Sequence, residues 1–349
     1  MIKVRIGSRI IGEGEPCFII AEAGVNHNGD IDLARNLVDV ASEADADAVK
    51  FQTFEAEEIV TADAGKARYQ RLTSDPDEAQ LEMLKKLMLG REDFRQLSAY
   101  AQDKKAVFLS SPFDYGSVDL LDELDVPAFK IPSGEITNFP LLSYIASKQK
   151  PIILSTGMST LNEVEDALEA IHNKGVEEVI LLHCVTSYPA KMEDANLKAI
   201  ETLRRTFSLP VGLSDHTAGI SVPIAAVALG ACVIEKHFTL DKNLPGPDHR
   251  ASLEPEELKA MVAAIRDIEL ALGDGIKRPT KEEEENKKAA RRSLVARVNI
   301  PAGTAITENM LDIKRPGTGL EPKLMKLVIG KKAKKDIACG EIITSVKLI

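Results

Sequence analysis

The 349 residues contain no tryptophan, and aromatic residues make up only 4% of them. So few rings leave little surface for stacking bases, which argues against a single-stranded nucleic-acid module. The four cysteines, Cys17, Cys184, Cys232 and Cys339, show no CxxC spacing. They suggest neither a disulfide framework nor a zinc ribbon, and three lie in apolar strand-like runs, as buried thiols of a reducing compartment do. No stretch approaches the roughly 18 unbroken apolar residues of a membrane helix. The opening MIKVRIGSRI also lacks an apolar core of signal-peptide length. These absences predict a cytoplasmic protein with no membrane partner. Basic residues are in deficit, 44 Lys and Arg against 54 Asp and Glu, a net charge of −10. That balance argues against general nucleic-acid binding. The deficit is uneven: residues 292–349 carry 11 basic and 5 acidic residues, a net of +6, leaving 33 against 49, a net of −16, for residues 1–291. A basic tail without aromatics is expected to dock on the acidic body or to help attract an anionic substrate.

What the chain does have is a regular alternation. Short apolar runs at 17–24, 48–54, 106–112, 128–133, 151–157, 178–184, 210–215 and 232–238 are often bounded by Pro or Gly, as strands covered on both faces are. Helical patterns fall between and after them, at 31–43, 161–173, 196–207 and 255–272. Eight strand-then-helix units in about 250 residues predict an α/β fold, a closed (β/α)8 TIM barrel, over 1–275. A doubly wound sheet would call for a GxGxxG turn after the first strand, and none is present. VRIG and RIIG near the start predict a hairpin closing the barrel bottom. The charge-rich segment 55–90 after the second strand is a candidate lid. Residues 276–291 read as a charged linker with a helical part. Residues 292–349 read as a small β-rich domain with a faint duplication: Ile300, Gly303, Ile306 and Thr307 recur as Ile337, Gly340, Ile343 and Thr344, each 37 residues later. Both copies suggest strand, tight turn, strand.

Barrel enzymes carry their chemistry at the carboxyl ends of strands. Those positions are polar here: Glu22 after strand one, Lys50 and Gln52 in strand two, Ser110 and Ser111 after strand three, Lys130, Ser133 and Glu135 after strand four. Ser155 follows strand five, Thr186 and Tyr188 strand six, and Ser214 and His216 strand seven, while strand eight carries Glu235, Lys236 and His237. His216 and His237 lie 21 residues apart and close adjacent strands at one level. Two imidazoles there suit either a divalent cation with open positions or a hydrogen-bonded pair at the rim; the polar ring around them favours the cation. Waters and nearby carboxylates would make Mn²⁺ a good fit, with Mg²⁺, Co²⁺ or Zn²⁺ also open. Lys50 and Lys130 project from strands, where lysine is rarely buried alone. An anionic substrate, or a salt bridge with Glu22 or Glu135, would supply the partner. Two lysines among serines suit an anion better than the single desolvated amine of Schiff-base chemistry. His27, His172 and His183 are given no role.

These residues sit in AEAGVNHNGD (21–30), KFQTF (50–54), KIPSGE (130–135), ILSTGMS (153–159), GLSDHT (212–217), EKHF (235–238) and PGPDHRASLEP (245–255). Together the motifs resemble the N-acetylneuraminate (sialic acid) synthase family. RRSLVA (291–296), IPAGTAIT (300–307) and IKRPGTG (313–319) are similar to that family's antifreeze-like (β-clip) domain, so the resemblance spans essentially the whole chain. It implies an enzyme that condenses phosphoenolpyruvate with N-acetylmannosamine, an N-acyl amino-sugar aldehyde, releasing phosphate. By it, Lys50, Ser111, Lys130, Ser133, Ser155 and Ser214 would hold phosphoenolpyruvate, and His216 and His237 a Mn²⁺. Glu22 and Asp248 would contact the sugar, Gln52 and Tyr188 would line the pocket, and Glu135 would handle water or protons. Glu22, Glu135, His216 and His237 would thus be the catalytic set. Thr186 stands where relatives can carry an amide, and implies a weaker contact to phosphoenolpyruvate. Arg315 would reach the N-acyl group across a domain-swapped homodimer. Six-deoxy diacetamido sugars, leading to legionaminic or pseudaminic acid, would suit much the same site. A non-catalytic carbohydrate-binding protein, with the barrel as scaffold, is the reading of another class.

Overall fold

A computed structural model describes residues 2–67, 70–71, 74–75 and 77–349. The chain divides into two compact units, Met1–Gly273 and Asp274–Ile349. The first opens with an antiparallel hairpin, β1 (Val4–Ile6) and β2 (Arg9–Ile11). Eight parallel strands follow: β3 (Phe18–Gly24), β4 (Ala48–Thr53), β5 (Val107–Pro112), β6 (Phe129–Ile131), β7 (Ile152–Ser155), β8 (Val179–Cys184), β9 (Val211–Asp215) and β10 (Val233–His237). Their order around the sheet is β5-β4-β3-β10-β9-β8-β7-β6. The first strand therefore pairs with the last, His237 opposite Glu22, and the sheet curls into a nearly closed barrel. β5 and β6 lie side by side without a ladder among the described residues.

Strand alternation explains how one barrel can be both stable and reactive. Side chains at alternate positions enter the lumen. At its amino end Phe18, Ile20, Ala48, Leu109, Ala128, Ile153, Ile180 and Val233 form a dry plug, and Val4, Ile6 and Ile11 of the hairpin pack beneath it. Each fully buried Val, Leu, Ile or Phe of this plug contributes about 1.5–3 kcal/mol. Continuing outward on the same faces, Ile20 gives way to Glu22, Ala48 to Lys50 and Gln52, Leu109 to Ser111, Ala128 to Lys130, Ile153 to Ser155 and Val233 to Glu235 and His237. The intervening residues, among them Phe51, Phe108, Phe129 and Ile234, face outward into the core shared with the helices.

The helices match their sequence periodicity. Ile31–Glu43 buries Ala34, Leu37, Val38 and Ala41 and starts at Asp30, whose side chain accepts from the Asp32 and Leu33 amides. Leu161–His172 opens with a capping box between Thr160 and Glu163. Within 55–90 stand the helices Ala56–Ile59 and Gln80–Leu87; residues 68, 69, 72, 73 and 76 of the candidate lid lie outside the described residues. Among the described residues no helix is long and apolar enough to cross a membrane.

The second unit begins with a charged helix, Lys281–Ala290, with no buried residue, followed by β11 (Ser293–Ala296) paired antiparallel with β12 (Leu311–Lys314). The duplication is real in three dimensions. Ile300 and Ile337 face each other in an antiparallel bridge, Gly303 and Gly340 turn at φ of 78° and 82°, and short 3-10 turns follow at Glu308–Met310 and Ser345–Lys347. Where strand, turn, strand was expected, each copy holds its first arm by this single bridge, because the residues between spend their hydrogen bonds on turns and loops.

Candidate active site

The carboxyl ends of the barrel strands open into a cavity of about 700 Å³. A larger cleft, of about 890 Å³, lies at the amino ends near Gly12, Cys17 and Gly230, and neither serine nor histidine lines it. The cavity floor is an ion-pair network. The Lys50 ammonium lies 2.7 Å from Glu22 Oε2 and 3.7 Å from Glu235 Oε2, and donates to Ser111 Oγ at 3.1 Å. Lys130 reaches Glu235 Oε1 at 3.4 Å. Both lysines thus have carboxylate partners before any substrate arrives, one of them the expected Glu22 and the other Glu235, not Glu135. Gln52 donates to Glu22 Oε1 at 3.3 Å, and Ser214 to Glu235 Oε1 at 2.9 Å.

Burial tunes these groups in opposite directions. It pushes the Glu22 carboxyl up to about 7, against the pull of Lys50. The Lys130 pKa is lowered by burial and by Lys50, with Glu235 opposing. For Lys50 burial also pulls downward, but Glu22 and Glu235 outweigh it and raise the pKa. Asp248, at the cavity wall, is pushed up to about 6 by burial, with His216 opposing.

Hydroxyls line the next sector. Ser155 Oγ is buried and without a partner, so it is available to a ligand. Ser133 Oγ accepts from the Gly157 amide at 3.0 Å, and the Thr186 hydroxyl stands beside it. Gly157 makes that approach possible: a Cβ there would lie 2.7 Å from Ser133 Oγ and well inside contact distance of Thr186 Oγ1.

The rings of His216 and His237 lie 5.4 Å apart, and Tyr188 packs on His216 at 4.1 Å. His216 Nδ1–H donates to the Val185 carbonyl at 2.8 Å, leaving Nε2 as the free face of that ring. Burial pulls the His216 pKa down, but Cys184, 3.8 Å from Nδ1, and the Val185 carbonyl outweigh it and leave it raised. His237 is held well below the ordinary imidazole range by burial and then by His216, and its Nδ1 is buried with no partner. Two imidazoles of this kind fit a divalent cation, which would displace any proton on His216 Nε2. Among the described residues no cluster of three or more His, Cys, Asp or Glu completes such a site, so water or substrate oxygens would fill its other positions.

Thirteen of the expected residues therefore meet at one cavity: Glu22, Lys50, Gln52, Ser111, Lys130, Ser133, Ser155, Thr186, Tyr188, Ser214, His216, His237 and Asp248. Glu135 is not among the lining residues; it ends the short turn Ser133–Glu135, and its carboxylate accepts from Asn138 Nδ2 at 2.8 Å. Arg315 belongs to the second unit, directly after β12 and ahead of a cis Pro316. Glu235 received no role from the sequence, although it lies two residues before His237 and so shares its face of β10. The helix Gln80–Leu87 also lines the cavity, through Gln80, Met83, Leu84 and Leu87.

Residues 37–277 match the NeuB family and residues 291–349 the SAF domain. The chain is 51% identical over 327 residues to an N,N'-diacetyllegionaminic acid synthase of Campylobacter jejuni, covering 93% of this chain and 98% of that protein. It is 48% identical to the N,N'-diacetyllegionaminic acid synthase of Legionella pneumophila, with 94% of both covered. Among solved structures it is similar to the N-acetylneuraminic acid (sialic acid) synthetase of Leptospira borgpetersenii in complex with citrate. The identity there is 38% and the TM-score 0.73, over 82% of this chain and 95% of that one.

Proposed function

The chain belongs to the NeuB family, and we propose that it condenses phosphoenolpyruvate and water with 2,4-diacetamido-2,4,6-trideoxymannose, giving N,N'-diacetyllegionaminic acid and phosphate. The observation that carries the reaction is the meeting of Lys50, Lys130, Ser111, Ser133, Ser155, Ser214, His216 and His237 in one cavity. The choice of product rests on the relatives at 51% and 48% identity, which favour legionaminic acid over the N-acetylneuraminate first expected.

In this reading Lys50 and Lys130 hold the phosphate and carboxylate of phosphoenolpyruvate, and Ser111, Ser133, Ser155 and Ser214 donate to its oxygens. Thr186 adds a single donor. Glu22 and Glu235 keep the two ammoniums in place while the site is empty, so the anion meets a preorganised floor. The enol carbon attacks the open-chain aldehyde, water adds at the phosphate-bearing carbon, and phosphate leaves with its bridging oxygen. A divalent cation, Mn²⁺ in the first instance, held by His216 and His237 would polarise the aldehyde oxygen. Asp248, with its pKa near 6, can orient a sugar hydroxyl or take a proton from the added water at neutral pH. Glu22, near 7, can hold or release a proton next to the same substrate. Tyr188 and Gln52 close the sides. Arg315 would approach the N-acyl group from the partner of a domain-swapped dimer, and Glu135 would position water only after a move away from Asn138. The cytoplasm, where phosphoenolpyruvate is made, is the compartment this chemistry calls for.

Phosphate release tests the reading. Purified protein with Mn²⁺ and phosphoenolpyruvate should release phosphate with the trideoxy sugar faster than with N-acetylmannosamine, and a chelator should stop it. Preference for N-acetylmannosamine would make the protein an N-acetylneuraminate synthase. No release with either sugar would refute the proposal.

A further inference from the structure

One wall of the cavity has no place in the chemistry above. The helix Gln80–Leu87 presents Gln80, Met83, Leu84 and Leu87 to it, spaced i, i+3, i+4, i+7, while Glu82, Lys85 and Lys86 face solvent. Its apolar stripe packs with Val25 and Phe113, which line the cavity too. The helix is anchored to the loop after β3: Gly29, at φ 74°, passes so close that a Cβ there would overlap the Lys86 carbonyl. The wall is therefore built into the fold, on an element separate from the strands that carry Lys50 and Lys130.

Among the described residues the same sector offers no cation. Lys50 and Lys130 are the only basic side chains among the described lining residues other than the two histidines, and both lie at the floor. Lys66, the nearby lysine of the insertion, is spent on Glu78 at 3.0 Å, Ser74 Oγ at 3.1 Å and the Asp75 carbonyl at 2.7 Å. An aldehyde held near the histidines has the far end of its carbon chain within the same cavity that this wall lines. Among the described residues a phosphate at this wall would meet no cation, and a hydroxyl set against Met83, Leu84 and Leu87 would lose its water, with Gln80 the polar side chain of that helix face.

We propose that Met83, Leu84 and Leu87, with Val25 and Phe113, are the specificity wall that selects a sugar ending in a methyl group over one ending in a hydroxymethyl or its phosphate. The inference rests on the proposed reaction and assigns its sugar selectivity to one helix face. Leu84, half-buried, is the residue to change, because a polar side chain there alters the wall with little loss of core. The experiment compares kcat/KM for 2,4-diacetamido-2,4,6-trideoxymannose, its 6-hydroxy counterpart 2,4-diacetamido-2,4-dideoxymannose and N-acetylmannosamine, at saturating phosphoenolpyruvate and Mn²⁺, in the wild type, Leu84→Gln and Leu84→Ala. The wild type should prefer the trideoxy sugar to its 6-hydroxy counterpart by at least about ten-fold, the range a single small group in an apolar pocket commands. Leu84→Gln should lower that ratio by about ten-fold and Leu84→Ala by about four-fold, with the KM of phosphoenolpyruvate within about two-fold of wild type. A melting curve identifies any variant that has unfolded, and the other then decides. A wild type that prefers the trideoxy sugar, with ratios unmoved in the folded variants, overturns the wall and leaves the reaction standing. A wild type that prefers N-acetylmannosamine, or turns over none of the sugars, overturns both.

Discussion

Replacing Lys236 by methionine should destabilise the barrel and loosen its histidine pair. Lys236 follows Glu235 on β10 and points out of the lumen, where its ammonium lies 2.5 Å from Asp215 and also donates to the Thr217 carbonyl. The two residues are directly opposed in the β9–β10 register, and both are buried, at 0% and 3% exposure. Each stands one residue before a histidine of the site, Asp215 before His216 and Lys236 before His237. Methionine fills the lysine's volume but leaves a buried carboxylate whose other donors are the amide and hydroxyl of Thr217, both at 3.0 Å. Removing one partner of a buried pair costs about 3–5 kcal/mol, most of it the stranded charge. For a unit of this size that lowers the melting temperature by about 10 °C. Adding Asp215→Asn removes the charge and keeps an acceptor for the Thr217 amide, so the double variant should recover to within about 2 kcal/mol of wild type. Urea unfolding measures the energies, and Mn²⁺ titration followed by electron paramagnetic resonance reads the histidines. The single variant should bind Mn²⁺ more weakly than the double. A single-variant cost below about 1 kcal/mol, or a double variant no better than the single, would refute the reasoning.

Four further outcomes are expected. Gly157→Ala would push a methyl against Ser133 and Thr186, so the KM of phosphoenolpyruvate should rise about ten-fold or more while that of the sugar changes less; steady-state kinetics decides. His237→Ala should abolish turnover with the melting temperature within a few degrees of wild type, since its Nδ1 holds no partner; full activity with Mn²⁺ still bound sinks its ligand role. Arg315→Ala should raise the KM of the sugar well above any effect on phosphoenolpyruvate, and an equal effect on both would remove it from N-acyl recognition. Stability should also fall with acid. His27 and His249 have folded pKa values lowered to about 4 by burial from an ordinary 6.5, so between pH 6.5 and 4 the unfolded chain takes up protons that the folded one refuses. Each contributes stability that is full above pH 6.5 and falls by about 3 kcal/mol toward pH 4. Glu22 and Asp248, raised to about 7 and 6, act in the opposite sense. Urea midpoints at pH 4.5 and 7 should therefore lie closer together in His249→Gln than in wild type, and an unchanged gap would refute the assignment.

Much of this was legible in the sequence because barrels translate periodicity into place. A strand covered on both faces is a short apolar run, and Phe18–Gly24 through Val233–His237 differ from the expected runs by no more than a few end residues. The polar residue that ends such a run is at the rim by construction, which is why the sequence alone places Lys50, Ser155, Ser214 and His237. Pairing across strands was less legible, because it depends on register as well as position. For Lys50 an anionic substrate is the preferred partner from sequence and a salt bridge with Glu22 or Glu135 the alternative; it meets Glu22 and Glu235, since the first and last strands are neighbours only once the barrel closes. Glu135 showed the same rim signal, but it lies in a turn, where period-two reasoning fails, and Asn138 three residues on takes its carboxylate.

Insertion residues are the hardest to read, and here they carry the sharpest functional difference. Met83, Leu84 and Leu87 form an ordinary amphipathic stripe, and by itself such a stripe predicts a helix packed on a core. The seat of the helix, where Gly29 passes close to the Lys86 carbonyl, lets the stripe face a cavity as well as Val25 and Phe113. The floor, built from strands, is expected to grip the same phosphoenolpyruvate whatever sugar follows, because Lys50 and Lys130 are held by carboxylates of the barrel itself. The wall comes from a loop and can change without disturbing that floor. Selectivity for the sugar should therefore shift with substitutions between 80 and 87 at nearly constant phosphoenolpyruvate affinity, and substitutions at Glu235, which pairs with both floor lysines, should do the reverse.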